Sequence, residues 1–325
     1  MKKILITGGA GFIGSHLAEA LLKTNNKVIV VDDLSTGRMD NINHLLKNSK
    51  FTFIRETIMN ESVMDRLISE CDMIYHLASS VGVERIISQP VDTIERCVMG
   101  THIVLKTAAR YRKKILFTST SEVYGKNGKV PFSEEDDMVL GPTINSRWSY
   151  ATSKAIDEFL ALAYAKESDL PVVIVRLFNT IGPRQTGQYG MVVPRFVNQA
   201  INNEDITIYG DGLQSRCFCY VGDVIKALIK LMSTSRAIGQ IFNIGSEQEI
   251  NILDLAKQVK KITNSKSKLV HIPYDQAYES GFEDMRRRIP SIKKVNELIS
   301  WKSQVKLDEV LLLIQKECLK NKKGK

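Results

Sequence analysis

Along the first half of the chain, short apolar runs alternate with segments whose apolar residues recur at helical spacing. The runs "KKILIT", "KVIVVDD", "DMIYHLA" and "KKILFTST" read as strands, with "SHLAEALLK" and "THIVLKTAARY" as helices between them. Continuous apolar runs mark strands buried on both faces, and strands alternating with helices predict a parallel sheet covered on both sides. "SKAIDEFLALAYAKE" predicts a further helix, and "PVVIVRLFN", Pro171 to Asn179, a further buried strand. Past Gly182-Pro183 the pattern becomes less regular, with short strands ("ITIYG", "QIFNIG"), helices such as "NILDLAKQVKKI" and polar loops. The expected fold is α/β: a doubly wound parallel sheet over residues 1–180, then a smaller mixed α/β lobe over 181–325 that binds substrate and leaves room for a strand or helix to cross back.

Composition narrows the class. At 43% hydrophobic and 25% charged, the chain has the makings of a soluble protein with a sizeable core. No apolar run approaches the roughly 18 residues of a membrane span, and "MKKILITGG" passes from two lysines straight into a strand and a glycine turn, so the expected location is cytoplasmic. The five scattered cysteines fit a reducing compartment. Cys217 and Cys219 form a C-x-C pair with no second pair or His cluster nearby, which is too few ligands for structural zinc, so no metal is expected. Of the net charge of +9, the final "KECLKNKKGK" carries +4, five Lys against one Glu. The remaining +5, without aromatic-basic interleaving, points away from nucleic acid and suits a small phosphorylated substrate.

"ITGGAGFIGSHL" places Gly8, Gly11 and Gly14 directly after a strand and at the opening of a helix. Glycines there allow a tight turn, close backbone approach to a pyrophosphate and close helix packing, with the helix N-terminus facing the phosphates. Asp32 and Asp33 end the next strand, 18 and 19 residues past Gly14, where a carboxylate takes the adenosine ribose hydroxyls and repels a 2′-phosphate. This is a Rossmann-type NAD site. Phe12 and Ile13 in the loop, and Leu77, Ala78 and Ser79 of "YHLAS", complete the expected cofactor contacts.

"YATSK" sets Tyr150 and Lys154 four residues apart, on one face of a predicted helix. A tyrosine serves as a base near neutrality when a neighbouring ammonium and a nicotinamide cation lower its pKa. With the glycine loop, "TSTSEVYG", "RLFNTIGPR", "YGDGLQSRCFCYVGDV" and "FNIGS", the chain resembles, over nearly its whole length, the extended short-chain dehydrogenase/reductases that modify nucleotide sugars. The resemblance implies that Tyr150 takes the sugar C4 hydroxyl proton while the C4 hydride passes to NAD. It implies that Lys154 holds the nicotinamide ribose and that Thr120 helps hold the C4 oxygen. It assigns Asn179, Val193, Arg195, Tyr209, Arg216 and the arginines Arg286 to Arg288 to the uridine and diphosphate of a UDP-sugar, and Glu84 and Arg85 of "SSVGVERIISQP" to the substrate loop. It also implies a homodimer, in which the helices after Met99 and Tyr150 pack against their copies.

Glu122 of "TSTSEVYG" suggests chemistry beyond C4. Simple 4-epimerases of this family have a small residue there, whereas a 4-keto sugar has an acidified C5 hydrogen that a carboxylate removes. The 4,6-dehydratases show Asp-Glu; this chain has Ser121-Glu122, which is also the pair of the UDP-glucuronate decarboxylases. In those, the Ser, the Glu and two arginines, matched here by Arg195 and Arg288, surround the reacting carboxylate. Ile86, however, stands where they carry a tyrosine, and the loop around it reads like those of hexosamine epimerases and 5,6-dehydratases. The leading expectation is therefore dehydration of a UDP-hexose of the UDP-N-acetylglucosamine type. The alternatives are UDP-glucuronate decarboxylation, 4-epimerisation, and a protein that senses NAD or a nucleotide sugar without turnover.

Overall fold

The computed structural model describes residues 1–79, 89–187, 191–277 and 285–323. Six strands of the first lobe, β1 (Lys3–Thr7), β2 (Lys27–Val31), β3 (Phe51–Ile54), β4 (Met73–His76), β5 (Lys114–Thr120) and β6 (Val172–Leu177), join the strand Gln240–Ile244 in one sheet. The spatial order is Gln240–Ile244, β6, β5, β4, β1, β2, β3, and each pairing is parallel. The strand order turns between β1 and β4, which opens a crevice at their carboxyl ends, where ligands bind in such sheets.

Alternate residues of each strand feed two cores, as the period of two requires. Ile4, Ile6, Val28, Val30, Val173 and Val175 face helix α1 (Phe12–Lys23) and the helices Val221–Ser233 and Lys293–Ile299. Leu5, Ile29, Val31, Ile74, Ile115, Phe117 and Ile174 face α2 (Glu61–Glu70), α3 (Pro90–Arg110) and α4 (Arg147–Ser168). The "QIFNIG" strand and the helix before it thus lie on the first sheet although the chain has already left it, because their apolar residues complete its edge and one face. Trp301 fastens this return by donating its indole N–H to the Asp223 carbonyl at 2.9 Å.

A third core, with Val193, Phe196, Ile206, Ile208, Leu255, Val259, Val310 and Ile314, gathers the helices Val192–Asn202, Ile252–Ile262 and Leu307–Lys323 around the parallel pair Ile206–Tyr209 and Leu269–Ile272. Among the described residues, no helix is long and apolar enough to cross a membrane.

Candidate active site

A cavity of about 500 Å³ runs from the glycine loop, over the ends of β1, β4 and β5, to the second lobe. At its first end Gly8 has φ +71°, and a Cβ there would lie 2.7 Å from the Ala78 nitrogen; one on Gly14 would lie 2.3 Å from the Gly8 carbonyl oxygen. The loop therefore fits only glycines at these two places. Helix α1 opens at Gly11 with no side-chain cap and no acid in its first turn, so its free amides and positive end remain for an anion. This backbone cradle fits a pyrophosphate, and Phe12, Ile13, Leu77, Ala78 and Ser79 all line it.

The two aspartates divide their work in a way the sequence reading missed. Asp32 is buried and accepts the Ala10 and Leu34 amides, both at 2.9 Å, so it braces the glycine turn while also lining the cavity. Burial raises its pKa, against those amides. Asp33 is held by Arg96 at 2.5 Å and by the Ser35 amide at 2.8 Å. Arg96 itself lines the cavity, a position that nothing in its helical sequence context signals.

Because α4 lies against the end of β5, Thr120, Ser121, Glu122 and Tyr150 line one part of the cavity, whereas Lys154 does not line it and is buried. Thr120 and Glu122 line the cavity, and the Thr120 hydroxyl accepts the Glu122 amide at 3.2 Å. Tyr150 is buried beside Cys97 and hydrogen-bonds Ser79. Burial raises the pKa of its phenol above the ordinary value. The Lys154 ammonium lies over the Phe117 ring, 3.9 Å from its centroid, and donates to Asp157 at 3.1 Å.

Around Glu122 the arginines converge. Arg288 reaches Oε1 at 2.7 Å and Arg147 reaches Oε2 at 3.4 Å. Burial pushes the Glu122 carboxyl up, but Arg288 and Arg147, with Arg216 beyond them, outweigh it and hold the carboxyl at about 2. Arg147 was not singled out from the sequence. Its signal was its place one helical turn before Tyr150, which puts both on one face of α4.

The second lobe supplies the other end. The Arg195 guanidinium lies 3.7 Å from the Tyr209 ring centroid and donates to the Thr207 carbonyl at 3.1 Å, with Val193 buried beside it. Asn179 donates to the Cys217 carbonyl at 3.2 Å, and Arg216 donates to the Ser215 and Met285 carbonyls, each at 2.8 Å. These five residues all line the cavity. Arg195 thus sits with the aromatic end rather than on Glu122. Arg286 does not line the cavity: its side chain is 71% exposed and paired with Asp211 at 2.7 Å. Of the consecutive arginines only Arg288 lines the cavity; Arg287, like Arg286, pairs at the surface, with Glu249 at 2.8 Å. Glu84, Arg85 and Ile86 lie outside the described residues.

A doubly wound sheet, a glycine cradle and Thr120 and Tyr150 in one cavity with an arginine-lined sugar end define an NAD-dependent enzyme that modifies nucleotide sugars. The chain belongs to the family described as GDP-mannose 4,6 dehydratase, whose model matches residues 5–313. It is 42% identical over 312 residues to a UDP-N-acetyl-alpha-D-glucosaminuronate decarboxylase of Bacillus cytotoxicus, covering 94% of this chain and 96% of that protein. It is 37% identical over 310 residues to UDP-glucuronic acid decarboxylase 1 of Xenopus tropicalis, covering 95% of this chain and 70% of that one. In structure it is similar to the UDP-glucuronic acid 4-epimerase of Bacillus cereus in complex with UDP-glucuronic acid and NAD, with a TM-score of 0.88 and 30% identity over 98% of this chain and 99% of that one.

Proposed function

We propose that the protein is an NAD-dependent decarboxylase of a UDP-uronate, with UDP-N-acetylglucosaminuronate the first substrate to test. The clamp of Arg288 and Arg147 on Glu122 carries this reading. Dehydration needs Glu122 as a C5 base, and a carboxylate held at about 2 by two guanidinium groups is a weak one. The same guanidinium groups, with Arg216 behind them, offer the charge and the forked donors that a sugar carboxylate needs. The 42% and 37% identities to two uronate decarboxylases support the same choice over dehydration.

NAD held by the cradle of Gly8, Gly11 and Gly14 would supply a hydride acceptor for C4 and the means to return that hydride. Tyr150 takes the C4 hydroxyl proton, and Thr120 holds the C4 oxygen. The sugar is then a β-keto acid: its C5–C6 bond breaks, carbon dioxide leaves, and the electron pair moves into the C4 carbonyl as an enolate. A proton returns to C5, so the balance is one UDP-uronate and one proton giving one UDP-pentose and one carbon dioxide. Arg147 and Arg288 hold the carboxylate before it leaves, and Glu122 keeps them in place and limits how tightly they hold it.

The test is the mass of the product from UDP-N-acetylglucosaminuronate, UDP-glucuronate and UDP-N-acetylglucosamine, each incubated with the purified protein and NAD. Loss of carbon dioxide from a uronate is expected. Loss of water from the hexosamine would restore the dehydratase expectation, and an isomer of unchanged mass would make the protein a 4-epimerase. We also infer a homodimer. Val91, Ile94 and Met99 on α3, and Ile156 and Phe159 on α4, are exposed apolar residues on two helices that pack side by side. A symmetric copy would cover them.

A further inference from the structure

Beneath Tyr150 lies a chain of polar side chains with almost no access to water. The Ala78 amide donates to Thr7 Oγ1 at 3.3 Å, and Thr7 Oγ1 meets His76 Nδ1 at 2.7 Å. His76 Nε2 meets Thr101 Oγ1 at 3.2 Å, and Thr101 donates to Asp157 Oδ2, also at 3.2 Å. Lys154 donates to the same oxygen from the other side at 3.1 Å. Thr7, His76, Thr101, Lys154 and Asp157 are each at most 1% exposed.

The direction of the chain is fixed by proton count. Thr101 has one proton and gives it to Asp157, so it accepts from His76, whose Nε2 carries the hydrogen and whose Nδ1 accepts from Thr7. Burial, with the Lys154 charge, drives the His76 pKa down to about 3, so the ring stays neutral. Every donor in the chain points toward the Asp157 carboxylate. Its other oxygen, Oδ1, is buried with no hydrogen-bond partner among the described residues, a costly arrangement for a residue that only fills space.

We propose that Asp157 is a positioning residue that draws the Lys154 ammonium down into the protein and so sets how basic Tyr150 is. Tyr150, Lys154 and Asp157 stand at i, i+4 and i+7 of α4, on one face. The other groups around the pair leave this role to Asp157. Phe117 of β5 offers only its ring face, and His76 of β4 is neutral. On α3, Thr101 carries no charge, and Cys97 meets the Ser79 hydroxyl at 3.3 Å. Glu158 of α4 is taken by Arg176 of β6, at 2.7 Å, and by Ser119 of β5. Glu122 is taken by Arg288 and Arg147. Asp157 is thus the carboxylate that meets Lys154. It counters the ammonium's pull on the phenol's proton and leaves the cofactor's positive charge as the agent that makes Tyr150 a base. The inference rests on the family's NAD chemistry at C4 and stands whether the sugar loses carbon dioxide or water.

The test is Asp157→Asn, which keeps the shape and removes the charge. Seven helical residues separate Asp157 from Tyr150 by about 10 Å, and at an effective dielectric of about 20 a charge at that distance moves a titration by about one pH unit. The acid limb of kcat/KM against pH, followed by release of carbon dioxide from UDP-glucuronate and from UDP-N-acetylglucosaminuronate, is expected to move about one unit lower. The affinity of the apoprotein for NAD, measured by calorimetry without sugar, should be at least that of the wild type in Asp157→Asn and at least ~10-fold weaker in Lys154→Ala. An unmoved or raised acid limb in Asp157→Asn, or an NAD affinity that falls as far as in Lys154→Ala, overturns the proposal. If neither uronate loses carbon dioxide, the decarboxylase reading fails, and the NAD affinities still judge Asp157.

Discussion

Replacing Arg288 with Met keeps its bulk and removes the charge nearest Glu122. The Glu122 carboxyl, ordinarily at 4.5, is held at about 2 against a burial that pushes it up. At about 1.4 kcal/mol per pH unit, that displacement corresponds to roughly 3 kcal/mol. Arg288 bonds at 2.7 Å and Arg147 at 3.4 Å, so Arg288 carries the larger share, about 2 kcal/mol. If the same guanidinium holds a substrate carboxylate, a loss of that size lowers kcat/KM for a UDP-uronate about 30-fold. Binding of UDP alone, measured by calorimetry, should not change. The variant has a pH signature as well. A carboxyl lowered in the folded protein contributes stability that is complete above its ordinary value and lost as pH falls toward 2. In Arg288→Met the folded-state carboxyl titrates closer to its ordinary value, so this acid-dependent loss is smaller than in the wild type. A kcat/KM within about threefold of wild type, or a matching loss of UDP affinity, would refute the reasoning.

Three further outcomes follow from the structure. Gly14→Ala places a Cβ 2.3 Å from backbone, so the loop must open, and NAD affinity by calorimetry should fall about 100-fold. His76 binds its proton at about 3 in the folded protein and near 6.5 when unfolded; its contribution to stability is therefore full above 6.5 and lost toward pH 3, at about 1.4 kcal/mol per pH unit. Denaturant titrations at successive pH should show that slope, and His76→Asn should lack it. Phe159→Glu puts a charge on a side chain that is 64% exposed, and by light scattering it should convert a dimer to a monomer with little change in thermal stability.

The sheet, the glycine loop and the Tyr150–Lys154 pair were legible because each depends on local spacing: strand runs, a glycine triplet at a helix start, and two residues one turn apart. Glu122 was legible as an unusual residue, but its chemical state was not. The two arginines that hold it arrive from 25 residues downstream, at Arg147, and from the far end of the second lobe, at Arg288. A run of three arginines does not say which one faces inward, and Arg286 was placed in the site when it pairs outward with Asp211. Four-residue spacing puts Tyr150 and Lys154 on one helix face, and the expectation was that the ammonium and a nicotinamide cation together acidify the phenol. Spacing carries no information about Asp157 and Phe117, which draw the ammonium away.

The most direct test of the account is to incubate the protein and NAD in heavy water with UDP-N-acetylglucosaminuronate and UDP-glucuronate labelled with carbon-13 at C6, following the label by NMR. The account requires that the label leave one of these sugars as carbon dioxide and bicarbonate, with one deuterium appearing at C5 of the UDP-pentose. A label that stays on both sugars while C4 inverts, or while water is lost, would contradict it.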